Sequence, residues 1–374
     1  MKQYTILAIL LLFIHASCSD DGVEINDIAD FEDFVRDEME RQHIPATAVL
    51  IFDGQTVLYE KYYGQSNIAS NTPLMDDHLF LMASVSKVFT GAALLQLYED
   101  GAFDLDDSIN DYLPFSVQIP GYTEAITFRM LLAHTSGIAD NDLVMDEHYF
   151  YGQDPPVSLA AFMEDYLSVD GIYYDANENF FDFQPGTQHE YSNIGSALIG
   201  VLVEEIAGTD FNTYCKQNIF NPLNMQNTAW RLDEITATIV TPYDYIDGQN
   251  QAIEHYTNTD YPNGGLRTTA NDLHTFVATL ANDGQSGNFQ LLEPSTVQAM
   301  MTPQIPSIDN TVGLHFFIMD SSNNIWGHDG GEQGVATIMG FNPTSKIGAI
   351  VLTNQGEADL DELFLEAYKL GLTL

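Results

Sequence analysis

The chain has 374 residues, ample material for a large core, and 45% of them are hydrophobic against 17% charged, the balance of a globular protein. Its 54 acidic residues face only 11 basic ones, a formal net charge of −43. That excess argues against nucleic acid and anionic membrane surfaces as partners, because both are bound through basic patches. It describes a solvated exterior and leaves the chemistry open.

Residues 1–18, MKQYTILAILLLFIHASC, place Lys2 ahead of nine apolar residues, Ile6–Ile14, and then small residues leading into Cys18. Such a stretch is too short to span a bilayer. It resembles a bacterial lipoprotein signal, which implies export and a lipid on Cys18; cleavage by ordinary signal peptidase is the alternative. Residues 19–25 read as a polar tether. Ile25–Gln42 then carries Ile28, Phe31, Phe34 and Val35 at helical spacing. ATAVLIF–DG–QTVLYEKYYG follows as two β-rich runs about Asp53-Gly54, a strong hairpin signal.

A helix is predicted from near Ser84 to a C-terminal stop at Gly101. From there to about residue 300 the pattern is mainly helical with loops, and 140–185 reads as irregular surface structure. VGLHFFIM, NIWGHDG, GVATIMGF and KIGAIVLTN are strand-like runs separated by turns, and Ala358–Lys369 is amphipathic. Strands at both ends with helices between predict an α/β fold of the α+β type. Its antiparallel sheet is built from N- and C-terminal strands and flanked by helices. The sheet domain is discontinuous, 26–75 plus 301–374, and a mainly helical domain, 76–300, is inserted between.

The stretch ASVSKVFTGAALLQLY (83–98) holds one of only six lysines, Lys87, in an apolar run that has to be buried. A buried ammonium needs a partner or a task. Ser84 stands three residues earlier, on the same helical face. A serine hydroxyl becomes a nucleophile when a base lies within reach, and a buried lysine can be that base. Tyr191-Ser192-Asn193 sits between a PGT turn and a small-residue helix; the same Tyr-x-Asn pattern occurs at Tyr256-Thr257-Asn258 and Tyr261-Pro262-Asn263. WGHDGGEQGVATIMGF (326–341) puts His328, Gly330 and Gly331 on a strand whose glycines let a substrate lie against the backbone. LLAHTSGI (131–138) and GGLRTTANDL (264–273) complete the set, with His134 and Thr135 read as shaping a loop beside the site.

Together these stretches resemble the serine hydrolases related to class C β-lactamases, penicillin-binding DD-peptidases and β-lactamase-like carboxylesterases, over about residues 40–371. The resemblance implies a β-lactamase/transpeptidase-like fold. It implies Ser84 as the acylated nucleophile, Lys87 and Tyr191 as the general base pair, and Asn193 as the group orienting Lys87. His328 and Gly330 become substrate-side residues, and the N–H groups of Ser84 and Gly331 an oxyanion hole. His328 occupies the place of a lysine in the lactamases, so a permanent cation that would grip a carboxylate is missing. An esterase or peptidase with a small-molecule or peptide substrate therefore outranks a β-lactamase. The alternatives are a penicillin-binding protein acylated without turnover and a surface protein that only interacts. No cofactor is implied, and none of the ten histidines forms a metal-binding spacing.

Overall fold

The structure is a computed structural model, and it describes residues 25–374. The signal, Cys18 and nearly all of the tether lie outside the described residues.

Helix α1 (Ile28–Arg41) is capped by the Asp27 carboxylate, which accepts from the Ala29 and Asp30 N–H groups, and it buries Phe31, Phe34 and Val35. It leads into strand β1 (Ala46–Asp53), which turns back as β2 (Thr56–Asn67) and continues to a short β3 (Thr72–Pro73). The hairpin pairs Asp53 with Thr56, so the turn residues are Gly54 and Gln55 rather than Asp53-Gly54. Gly54, at the first turn position with φ +52°, has the positive angle that a type II′ turn needs there.

Four strands from the other end complete the sheet: β4 (Phe317–Asp320), β5 (Ile325–Glu332), β6 (Val335–Phe341) and β7 (Ile347–Thr353). The order is β4-β5-β6-β7-β1-β2-β3, antiparallel throughout. The two ends of the chain meet at β7–β1, in register from Thr47↔Thr353 to Asp53↔Ile347.

Side-chain alternation splits the sheet into two cores. Val49, Ile51, Ile338 and Val351 pack under α1 and the last helix, α6 (Asp361–Gly371). Ala48, Leu50, Phe52, Met339, Ile350 and Leu352 face the larger core. Because both faces are covered, the central strands read as continuous apolar runs rather than alternating ones.

Between the two groups of strands, α2 (Ser86–Glu99) is buried almost all round and ends before Gly101, at φ +73°. The predicted helix differs at its start: Ala83–Val85 is a separate 3₁₀ turn, entered through Ala83 at φ +47°. Segment 140–185 departs from the expectation of irregular structure. It contains α3 (Leu159–Leu167), whose Leu159, Phe162, Met163, Tyr166 and Leu167 are buried. Two further helices, α4 (Asn193–Ala207) and α5 (Ala270–Ala281), pack in the same core, with Phe276 of α5 stacked on Phe89 of α2 at 3.7 Å.

Candidate active site

The site forms where the turn before α2, the start of α4 and the strand β5 converge. Ser84 is partly exposed on the 3₁₀ turn, where residues three apart eclipse one another, and Lys87 follows one turn into the core. Gly330 lets β5 lie against that turn. A Cβ there would stand 2.6 Å from the Met82 carbonyl, 2.6 Å from Thr337 Oγ1 and 2.9 Å from the Ser84 nitrogen. Strand β4 pairs only with the first part of β5, as Phe317↔Gly327, Ile318↔Trp326 and Asp320↔Ile325. Among the described residues no strand pairs with Asp329–Gly331 on that side. A cleft of about 350 Å³ opens there, lined by Ser84, Tyr191, Phe317, His328, Asp329, Gly330 and Gly331.

Lys87 is 0% exposed. Its Nζ donates to Asn193 Oδ1 at 2.7 Å and to the Asn263 carbonyl at 2.8 Å, and it lies 3.1 Å from Ser84 Oγ. Burial brings its pKa down to about 7, against the opposing pull of Asp140, Asp260, Glu332 and Asp329. The geometry then assigns the protons. A carbonyl can only accept, and Asn193 Oδ1 can only accept, so a neutral amine spends both N–H bonds on them. Its lone pair is left facing Ser84 Oγ, the one neighbour of the three that can donate.

Asn193 points its oxygen at Lys87 because Asp140 holds the other end. Asp140 Oδ2 accepts from Asn193 Nδ2 and from the Asn193 N–H, each at 2.9 Å; Oδ1 accepts from the Ile194 N–H at 2.9 Å and from Ser192 Oγ at 3.3 Å. One carboxylate thus caps α4 and fixes the amide. The Asn263 carbonyl is brought in by close packing. A Cβ at Gly200 of α4 would lie 2.6 Å from Pro262, and Thr90 Oγ1 of α2 donates to the Pro262 carbonyl at 2.6 Å. Behind it Asp260, fully buried, has its carboxyl raised to about 6 by burial and accepts from Asn263 Nδ2 at 2.5 Å.

Tyr191 lies with its ring centroid 4.9 Å from Lys87 Nζ and stacks on His134 at 4.3 Å. The residue is 37% exposed, yet its phenol is crowded enough that burial pushes its pKa above the ordinary value, with a hydrogen bond to Ser84 pulling partly back. It stays protonated at neutral pH. His134, at φ +51°, accepts from the Ser192 N–H at 3.1 Å and braces both Tyr191 and the start of α4. His328 is 2% exposed; its Nδ1 bonds the Asp329 carbonyl at 2.5 Å and its Nε2 has no partner. Burial and the Lys87 charge push its pKa down to about 4, so it is neutral at pH 7.

The structure therefore brings Ser84, Lys87, Tyr191, Asn193, His328, Gly330 and Gly331 to one cleft or its immediate wall. Sequence reasoning missed Asp140, Asp260, the Asn263 carbonyl and Phe317. Of the competing Tyr-x-Asn patterns, Tyr261-Pro262-Asn263 also reaches Lys87, through its backbone rather than its amide.

The family model described as Beta-lactamase matches residues 31–370. The chain belongs to the Beta-lactamase family. Within it, the chain is 22% identical over 330 residues to Protein flp of Staphylococcus aureus, covering 86% of this chain and 61% of that protein. It is 24% identical to Penicillin-binding protein 4* of Bacillus subtilis, covering 85% and 70%. It therefore spans about three fifths of the length of Protein flp. Among solved structures, the octameric penicillin-binding protein homologue from Pyrococcus abyssi superposes with a TM-score of 0.73 at 20% identity, over 92% of this chain and 78% of that one. A penicillin-binding protein from Bacillus halodurans gives 0.72 at 24%, over 90% and 98%. The hydrolase EstCE1 gives 0.72 at 18%, over 91% and 97%. These likenesses establish the Beta-lactamase-family fold, an antiparallel sheet flanked by helices.

Asp140 offers a first test. Asp140→Asn removes a charge that raises the Lys87 pKa and loosens the Asn193 amide. With the carboxylate gone, Lys87 loses its proton at lower pH, and on the reading of Lys87 as a general base the acid limb of kcat/KM moves to lower pH with it. The plateau is expected to drop about tenfold as the amine loses its fixed acceptor. A pH–rate profile with an unmoved limb would contradict the assignment.

Proposed function

We propose that this chain cleaves an ester or amide through an acyl-enzyme on Ser84. The observation that carries the reading is the buried Lys87 Nζ, 2.7 Å from Asn193 Oδ1, 2.8 Å from the Asn263 carbonyl and 3.1 Å from Ser84 Oγ, which in its neutral form turns its lone pair toward Ser84 Oγ. In the acylation step Ser84 Oγ attacks the substrate carbonyl while Lys87 takes its proton. The negative charge formed on the carbonyl oxygen is received by the N–H groups of Ser84 and Gly331, a contribution of a few kcal/mol in such sites. Tyr191, protonated beside Ser84, gives its proton to the leaving group and regains one from Lys87. Water then attacks the ester by the same steps in reverse. Asn193 orients Lys87; His328 and Gly330 shape the wall along which the substrate lies.

The neutral His328 supplies no cation for a carboxylate, which favours an ester or peptide substrate over a β-lactam. The penicillin-binding names among the relatives support a second reading, acylation without turnover. Export and anchoring through Cys18 belong to the same proposal. Among the described residues no helix is long and apolar enough to cross a membrane, so on this reading the lipid is the membrane attachment.

The test exposes the protein to a fluorophosphonate probe, a p-nitrophenyl ester and a chromogenic cephalosporin, and maps the label by peptide mass spectrometry. Label on the peptide holding Ser84 together with ester turnover is the expected result. Stoichiometric cephalosporin adduct without turnover would select the second reading. No label from any reagent would defeat both.

A further inference from the structure

The charges that act most on the Lys87 amine are all negative. Four carboxylates, Asp140, Asp260, Glu332 and Asp329, pull on the Lys87 amine. Asp140 and Asp260 stand behind the site, each engaged in hydrogen bonds to Asn193 or Asn263. Glu332 accepts from Tyr149 at 2.9 Å at the far end of β5. Asp329 differs: it lines the cleft and its side chain is 72% exposed. No Lys or Arg lines the cleft among the described residues, and the amine at its floor is withdrawn from water. His328 adds no donor. A backbone carbonyl cannot give a proton, so Nδ1 must carry the one shared with Asp329, and Nε2 is left as a bare acceptor without a partner.

We infer that the cleft selects acyl donors bearing a positive charge or a hydrogen-bond donor beside the scissile carbonyl, and turns away those bearing a carboxylate there, with Asp329 as the residue that reads the charge. This rests on the acyl-transfer reading. A substrate cation within a few ångströms of an exposed carboxylate gains, and an anion loses, enough for a preference of about tenfold or more at low salt. The local charge adds to the attraction or repulsion set up by the whole acidic surface.

The experiment compares acetate esters of 3-(trimethylammonio)phenol, 3-hydroxybenzamide and 3-hydroxybenzoate, each kcat/KM divided by the rate of hydroxide-catalysed hydrolysis to remove intrinsic reactivity. The expected order is cation, then amide, then carboxylate. The cation-to-carboxylate ratio should be about ten or more and should shrink in about 1 M salt, where screening is nearly complete within a few ångströms. Asp329→Asn should narrow the ratio, and Asp329→Lys should invert it. Asp37→Lys, on the exposed side of α1, makes the same change in net charge and should leave it standing. A wild-type ratio near one, or a ratio shifted equally by the Asp37 and Asp329 variants, would overturn the inference. Turnover of all three esters without discrimination sinks the charge reading alone. Absence of both turnover and fluorophosphonate labelling removes the acyl-transfer reading, and this inference falls with it.

Discussion

Ser84→Ala is expected to abolish fluorophosphonate labelling and to lower kcat for an activated ester by about 10⁴-fold or more, the scale of losing a nucleophile that acts as one unit with its base. The change should leave the fold alone. Ser84 is partly exposed on a surface turn, and alanine fits that turn as its neighbour Ala83 does. No neighbour can stand in. Ser86 is 0% exposed, and its Oγ accepts from the Leu266 N–H at 3.1 Å, pointing into the core. Measuring the melting temperature beside kcat separates a lost nucleophile from a lost fold. A variant that keeps a tenth of wild-type turnover would remove Ser84 from the chemistry.

Lys87→Met is the second large effect. Methionine keeps an unbranched stem out to Cε and removes the amine, so kcat/KM should drop by about 10³-fold, within the range of a positioned general base. Lys87→Arg should not rescue it, because a guanidinium does not give up its proton in a protein. Stability is pulled both ways. The buried amine is gone, but Asn193 Oδ1 and the Asn263 carbonyl lose a donor, and an unpaired buried acceptor costs about 1–3 kcal/mol. The pH dependence separates the role from mere packing. Lys87 must be neutral to act, so wild-type kcat/KM should level off above about pH 7 and fall as pH drops below it. In Lys87→Met that inflection should be absent. An unchanged inflection near 7 would assign it to another group.

Much of this was open to reading in the chain itself, for identifiable reasons. A cation inside an apolar helix is costly, so Lys87 announced a partner, and three-residue spacing named Ser84. The two-ended sheet was legible because strand-like runs at each terminus flank a helical middle, and the Beta-lactamase family model covers the same span. What stayed hidden depends on contacts that no local pattern encodes. Asp140 is one of 54 acidic residues, and its partners are 52 to 54 positions away. The Asn263 acceptor is a backbone carbonyl, which leaves no side-chain signature. Ala83 takes a positive φ without being glycine, so the 3₁₀ turn that lifts Ser84 out of the helix could not be foreseen. Helix α3 was the avoidable miss. Its buried residues fall at i, i+3, i+4, i+7 and i+8, but the surrounding aspartates and aromatics masked the period.

Everything proposed for the chemistry returns to the protonation of one amine. With only six lysines in the chain, selective ¹³C labelling and NMR titration of the lysine ε-carbons, with Lys87→Met to assign the signal, reads it directly. The Lys87 signal should titrate near pH 7. A Lys87 signal that remains that of an ammonium up to pH 10 would mean that no free lone pair faces Ser84 at neutral pH, and the account would be wrong.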